Sequence, residues 1–252
     1  MNTLNFRKAA ALFALGVLVL SATIATGVRA QSPAVDPAAT QILHRMTDYV
    51  GSLQKFSVRT QNTLEDLLVS GHRVDFDVSA DVIISRPNKL HAARKGELID
   101  QAFYYDGKTL TLYNPSDKVY ATEPAPGTIE EMLDFARETL GLIVPVADLV
   151  YRNAYPLLIQ DVNMAVVVGK SFIGGIRCDH LLFSRPGVDF QVWVADSGKP
   201  LPYKYVVTDT GIPTRLSITT VMSNWNVAPA VADARFTFVP PKGAKPTTFM
   251  PF

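Results

Sequence analysis

The sequence predicts an α+β fold: a strongly curved, unclosed antiparallel β-barrel of about ten strands, with two or three helices covering its concave face. Three observations carry this expectation. A period-two alternation of apolar and polar residues runs through most of the chain, giving each strand one dry and one wet face. Turn-forming residues separate the alternating runs, and strands joined by hairpins are antiparallel. Helical spacing appears only at the start and in the middle of this meander. A single sheet needs a second layer to bury its apolar face, so the helices are expected to roof it.

The elements follow in order. Asp36-Pro37 reads as an N-cap followed by proline at the first helical position, where a missing N–H costs nothing. Behind it Ile42, Met46, Tyr49, Val50 and Leu53 recur at helical spacing and define a buried stripe. From Phe56 the period becomes two. It is clearest where Val74, Phe76, Val78, Ala80, Val82 and Ile84 alternate with Asp75, Asp77, Ser79, Asp81, Ile83 and Ser85. Ser70-Gly71 and Arg86-Pro87-Asn88 bound that strand at about 14 residues, well above the usual 5 or 6, a length suited to curved sheets and barrels.

Further strands are expected at residues 89–94, 101–105, 109–113 and 118–122, with Asp106-Gly107 as a tight hairpin turn. Pro124, Pro126 and Gly127 break the sheet. Thr128-x-x-Glu131 is a capping box for a second helix, with Ile129, Met132, Leu133, Ala136 and Leu140 on one stripe and Gly141 as its stop. A third, shorter helix is expected after Pro145, over residues 147–151. The alternation resumes at 164–172, 176–184, 188–195, 203–208 and 214–225. Residues 235–239 read as a last short strand, stopped by Pro240-Pro241.

A secretion address precedes all this. Arg7 and Lys8 open an apolar run, and Val28-Arg29-Ala30 ends it with small residues where a signal peptidase cuts, so residues 1–30 read as a cleaved leader and 31–252 as one domain. An uncleaved anchor would need the apolar run to continue to Val28, near the roughly 20 residues that span a bilayer. Ser21, Thr23 and Thr26 dilute it, and the Val-x-Ala ending favours cleavage. The single cysteine, Cys178, lies far from the junction, so no lipid-bearing cysteine forms there and a periplasmic product is expected. Without its leader the chain has 222 residues and a formal charge of −2, which gives nucleic acid no footprint. One cysteine excludes an internal disulfide.

Catalytic motifs are lacking. His44 lies one residue off the helical stripe beside Arg45, and His72 and His91 stand at strand starts beside Arg73 and Lys89; all three read as solvated. Cys178 and His180 share a strand face and could both reach one Zn²⁺, but a tetrahedral site needs three or four ligands and no second pair completes it. Neither a Gly-x-Ser-x-Gly elbow nor a Gly-x-x-x-x-Gly-Lys phosphate loop occurs. Asp75, Asp77 and Asp81 fall on the wet face of an amphipathic strand. The chain therefore reads as a non-enzyme without metal or cofactor. An apolar cavity between sheet and helices is the remaining place for function. Its candidate lining is Phe76, Val78 and Val82 from the long strand and Met132, Phe135, Ala136 and Leu140 from the second helix, the methionine being suited to an irregular apolar ligand.

Specific strings add a resemblance. Phe103-Tyr104-Tyr105-Asp106-Gly107-Lys108, Leu112-Tyr113-Asn114-Pro115, Lys118-Val119-Tyr120 and Ala125-Pro126-Gly127-Thr128-Ile129-Glu130 resemble the bacterial periplasmic family called domain of unknown function 2092. So do Val144-Pro145-Val146-Ala147-Asp148-Leu149, Ile176-Arg177-Cys178-Asp179-His180-Leu181-Leu182-Phe183, Val188-Asp189-Phe190-Gln191-Val192-Trp193-Val194 and Leu201-Pro202-Tyr203-Lys204. The pattern is similar to that of LolA-type lipoprotein carriers, whose unclosed barrel, covered by helices, holds acyl chains. The resemblance implies a LolA-like fold and a lipid or lipoprotein acyl chain as partner, with transient membrane-surface contact. An envelope protein, bound by a sensor or regulatory module on the same scaffold, is the alternative. None of the carriers' individual residues carries over.

Overall fold

The computed structural model describes residues 35–97, 99–142 and 146–249; the expected leader and cleavage junction lie outside them. Asp36 Oδ1 accepts from the Ala38 N–H at 2.8 Å and opens α1, Pro37–Ser52. Its buried face centres on Ala39, Leu43, Met46 and Val50, one step round from the expected stripe, with Ile42, Tyr49 and Leu53 partly buried at the flank. The first meander comprises β1 (Lys55–Leu67), β2 (Arg73–Ser85), β3 (Lys89–Gly96), β4 (Asp100–Tyr105), β5 (Thr109–Asn114) and β6 (Val119–Pro124). β1 and β2 pair along their whole 13-residue lengths, from Lys55↔Ser85 to Leu67↔Arg73.

Then come α2 (Ile129–Glu138), a 3₁₀ turn at Ala147–Leu149 and α3 (Ala154–Ile159). The capping box forms as read: Glu131 N–H donates to Thr128 Oγ1 at 3.2 Å and that hydroxyl donates to Glu131 Oε2 at 2.8 Å. The second meander is β7 (Met164–Ile173), β8 (Ile176–Arg185), β9 (Val188–Ala195), β10 (Pro202–Asp209) and β11 (Ser217–Asn226). Its last strand pairs with β1 in the register Thr60↔Met222 and Asn62↔Thr220.

The result is one open sheet in the order β12-β6-β5-β4-β3-β2-β1-β11-β10-β9-β8-β7, antiparallel except where β12 (Lys245–Pro246) lies parallel to β6. This order explains the roof. β6 stands near one edge and β7 at the other, so the link between them must cross the sheet, and that link carries α2 and α3. The core lies beneath it, drawing Leu43, Met46, Ile129 and Met132 from helices and Phe56, Ile84, Tyr105, Leu110, Phe183 and Phe190 from strands into one cluster.

Three expectations are corrected. Where a third helix is expected over residues 147–151 there is a single 3₁₀ turn, and the helix forms later, at Ala154–Ile159. Val146 enters the turn at φ 57°, and Pro156 falls within the first turn of α3, where its lacking N–H leaves no bond unmade. Residues 235–239 form no strand. Asp233–Phe236 is a 3₁₀ turn, after which the tail lays side chains on the convex face: Phe238 packs on Tyr104, Tyr113 and Tyr120 at centroid distances of 5.0–5.3 Å. With β12 the described residues contain twelve strands where about ten were expected.

Candidate functional site

Even-numbered residues of β1 face the helices, and their burial changes along the strand. Phe56, Val58, Thr60 and Asn62 are 1, 8, 4 and 5% exposed, Leu64 is half-buried and Asp66 is exposed. All six line a cavity of about 650 Å³, so it is closed beneath the roof and opens toward the β1–β2 hairpin tip. β2 contributes Val78, Ala80 and Val82, β3 contributes Leu90, Ala92 and Arg94, and the roof contributes Val50, Met132, Leu133, Ala136 and Leu149. Of 28 lining residues 23 are apolar, so any occupant must be mostly hydrocarbon.

The polar exceptions are few and local. Asn62 donates to Thr60 Oγ1 and to the Val78 carbonyl, each at 3.0 Å, and accepts from Thr220 Oγ1 at 2.7 Å, so this patch of wall answers its own hydrogen bonds. Arg94 and Gln101 line the outer part, with Arg94 Nε donating to Gln101 Oε1 at 2.9 Å and the guanidinium carbon 4.8 Å from the centroid of the Phe103 ring. Burial lowers the Arg94 pKa to about 10, which leaves it cationic at neutral pH.

The closed end is held by Arg86, whose side chain is 1% exposed. It donates through Nε to the Leu53 carbonyl at 3.2 Å, through Nη2 to the Val150 carbonyl and through Nη1 to Glu130 Oε1 at 2.9 Å. One guanidinium thus ties the end of α1, the first turn of α2 and the chain after the 3₁₀ turn to the β2–β3 connection. Desolvation lowers its pKa, opposed by the Glu130 carboxylate.

The seven candidate residues divide. Val78, Val82, Met132 and Ala136 line the cavity. Phe76 stands on the same strand face nearer the hairpin tip, half-buried and outside the lining, and Phe135 packs on the core from the flank of α2. Leu140 is buried beyond the end of the helix. α2 stops at Glu138 and closes with Leu140 N–H to Phe135 O at 3.3 Å and Leu142 N–H to Ala136 O at 2.9 Å, with Gly141 at φ 65°; Leu142 is thereby brought to the cavity instead. Phe56, Val58, Phe103, Met222 and Trp225 also line it. Their signal was the same alternation that marked β2.

The remaining polar groups offer no reactive cluster. His91, expected in solvent, is 2% exposed, because the C-terminal segment covers the convex face; its ring meets Tyr104 edge-on at 4.8 Å. Cys178 is fully buried, which pushes its thiol up to about 11. His180 stacks on Trp193 at 4.0 Å and bonds Gln191. Among the described residues no group of three or more His, Cys, Asp or Glu is placed to hold a metal. A second pocket of about 570 Å³ lies beside Arg45, Asp48, Asp179 and Asp196. It is open to solvent, and Lys170 Nζ already holds Asp179 and Asp196 at 2.7 and 2.8 Å.

Fold and site together define a non-closed antiparallel sheet, roofed by helices over an apolar cavity. The chain belongs to the family described as predicted periplasmic protein, domain of unknown function 2092, whose pattern matches residues 39–250, and it is a periplasmic protein. No curated protein matches it in sequence. Among solved structures it is similar to an uncharacterized conserved protein from Thermus thermophilus (TM-score 0.49, 11% identity, covering 84% of this chain and 99% of that one). It is similar also to lipoprotein LppX of Mycobacterium tuberculosis (0.46, 18%, 78% and 100%) and to a LolA superfamily protein of Nitrosomonas europaea (0.37, 12%, 79% and 97%).

Proposed function

We propose that this chain is a non-catalytic periplasmic carrier or chaperone that holds a lipid, or the acyl chains of a lipoprotein, in the cavity under its helices. The observation that carries the reading is the cavity itself: about 650 Å³, with 23 apolar residues among the 28 that line it. That volume falls among ligand sites of about 300–1,000 Å³. Apolar burial supplies the affinity, about 0.8 kcal/mol for each CH₂ taken out of water.

The test is uptake of a fluorescent fatty acid by protein purified from the periplasm and delipidated. Met132→Trp and Ala136→Trp each place an indole in the cavity wall and are expected to weaken binding by about tenfold or more while leaving the fold intact by circular dichroism. Unchanged affinity in both variants, or no uptake by the wild type, would overturn the reading. Native mass spectrometry of freshly purified protein gives an independent check, with an added mass that extracts as lipid as the expected result.

A further inference from the structure

We propose that the apex of the β1–β2 hairpin is a membrane-docking tip, which inserts into a lipid bilayer and sets the mouth of the cavity against it. The inference rests on the cavity reading for the route of the cargo; the contact with a lipid surface follows from the tip alone. Leu67, Leu68 and Val69 are consecutive at this apex and are 40, 46 and 110% exposed. A second hairpin ends beside them. Arg73 Nη2 donates to the Thr214 carbonyl at 2.5 Å and the Ser217 N–H donates to Glu65 Oε2 at 2.8 Å, which brings Ile212, 39% exposed, to the same end of the sheet.

Three N–H groups of the tip are already bonded within the hairpin, which lowers the cost of leaving water. The Leu67 N–H donates to Asp66 Oδ1 at 2.7 Å, the Leu68 N–H to the His72 carbonyl at 2.9 Å, and the Gly71 N–H to the Leu68 carbonyl at 2.8 Å. Entry into lipid is otherwise opposed by the cost of unmet backbone groups. Gly71 takes φ 83°, which lets the turn close within so few residues.

A bilayer fits this feature better than a protein does. A stable protein interface uses about 20–30 residues a side, whereas here four aliphatic side chains stand on a projecting end. Lipid moulds round a projection, and each side chain that enters it leaves water. The flanking cations are already paired, Arg73 3.2 Å from Glu65 and Arg215 3.0 Å from Asp189, and Asp66 beside the tip is acidic, so attraction to anionic headgroups is not the source of binding. The tip is also continuous with the site. Asp66 and Leu64, one and three residues before Leu67, line the cavity where it opens. With the tip in the interface, an acyl chain passes between bilayer and cavity without crossing bulk water.

The experiment is flotation of the purified protein with vesicles of phosphatidylethanolamine and phosphatidylglycerol, comparing wild type with L68D/V69D. The wild type is expected to float, with binding changed less than about twofold between about 50 and 500 mM salt. The variant should lose about tenfold or more in vesicle affinity, yet take up fluorescent fatty acid from solution like the wild type and keep its circular dichroism. Tryptophan at position 69, V69W, should shift its emission to the blue on vesicle addition. A wild type that stays in the soluble fraction, a variant that floats equally well, or binding lost at high salt would each overturn the proposal. So would light scattering that shows a wild-type dimer broken by L68D/V69D with flotation unchanged, which assigns the tip to a second copy of the chain. Tip-dependent flotation without fatty-acid uptake would support the tip and count against the carrier alone.

Discussion

A guanidinium at 1% exposure has lost nearly all its water, and Arg86 holds its charge because three acceptors from three separate segments replace that water. The arrangement is geometric as well as electrostatic, since a planar fork reaches Leu53, Val150 and Glu130 at once. Arg86→Met is therefore expected to lower the unfolding free energy by about 3–5 kcal/mol, because two carbonyls lose their donor while the partly buried Glu130 carboxylate loses its cation and keeps only the Arg152 N–H. Arg86→Lys should recover only part of it, an ammonium being unable to span all three acceptors. Urea denaturation of the two variants checks this, and a loss below about 1 kcal/mol for Arg86→Met would remove Arg86 as the tie of the roof. The sequence showed Arg86 only as part of a turn. Its partners lie 33, 44 and 64 residues away, and local pattern carries no information at that separation.

Elements whose signals are local were legible: the Asp36 cap, the Thr128–Glu131 box and the full run of β2 all depend on neighbours within a few residues. The tail was not. Residues 235–239 alternate as a strand would, but the contacts that fix them come from Tyr104, Tyr113 and Tyr120, on three strands the alternation could not place together. This covering element also sets the chemistry of His91. Burial, aided by the nearby Arg235 charge, lowers its pKa to about 4, and its Nδ1 has no hydrogen-bond partner among the described residues. Lys89 and Asp233 pair at 2.6 Å between the same strand and the tail. Since the folded pKa lies below the unfolded value of about 6.5, the fold favours neutral imidazole. Its contribution is complete above about pH 6.5 and is lost as the pH falls toward 4, because the unfolded chain binds the proton first. The wild type is expected to lose about 3 kcal/mol more than His91→Phe between pH 7 and pH 4, read from denaturation midpoints at each pH. Parallel pH profiles for the two proteins would show that His91 remains accessible beneath the tail.

At the scale of the whole molecule, the cavity follows from topology and from small side chains. The crossing from β6 to β7 lays α2 over the sheet, and the wall beneath it carries Ala80 and Ala92, with Ala136 on the helix above. Alternation in the sequence identifies which face is dry but not how much volume separates that face from its cover, so a packed and a hollow core look alike until the strands are placed. Four of the seven candidate residues line the cavity because they lie on the correct face beneath the roof; Phe76, Phe135 and Leu140 share the pattern without the position. A hollow core makes a prediction opposite in sign to that for a packed one. Enlarging side chains in a filled interior destabilises by about 1–3 kcal/mol, whereas filling unused space commonly adds about 0.5–2 kcal/mol. Ala80→Leu with Ala92→Leu is thus expected to raise the unfolding free energy of the delipidated protein and to abolish its uptake of fluorescent fatty acid. Stability gained as binding disappears means that the space is kept open for a ligand at a cost to the fold. A double variant that is less stable than wild type and still binds would place the hydrocarbon elsewhere on the molecule.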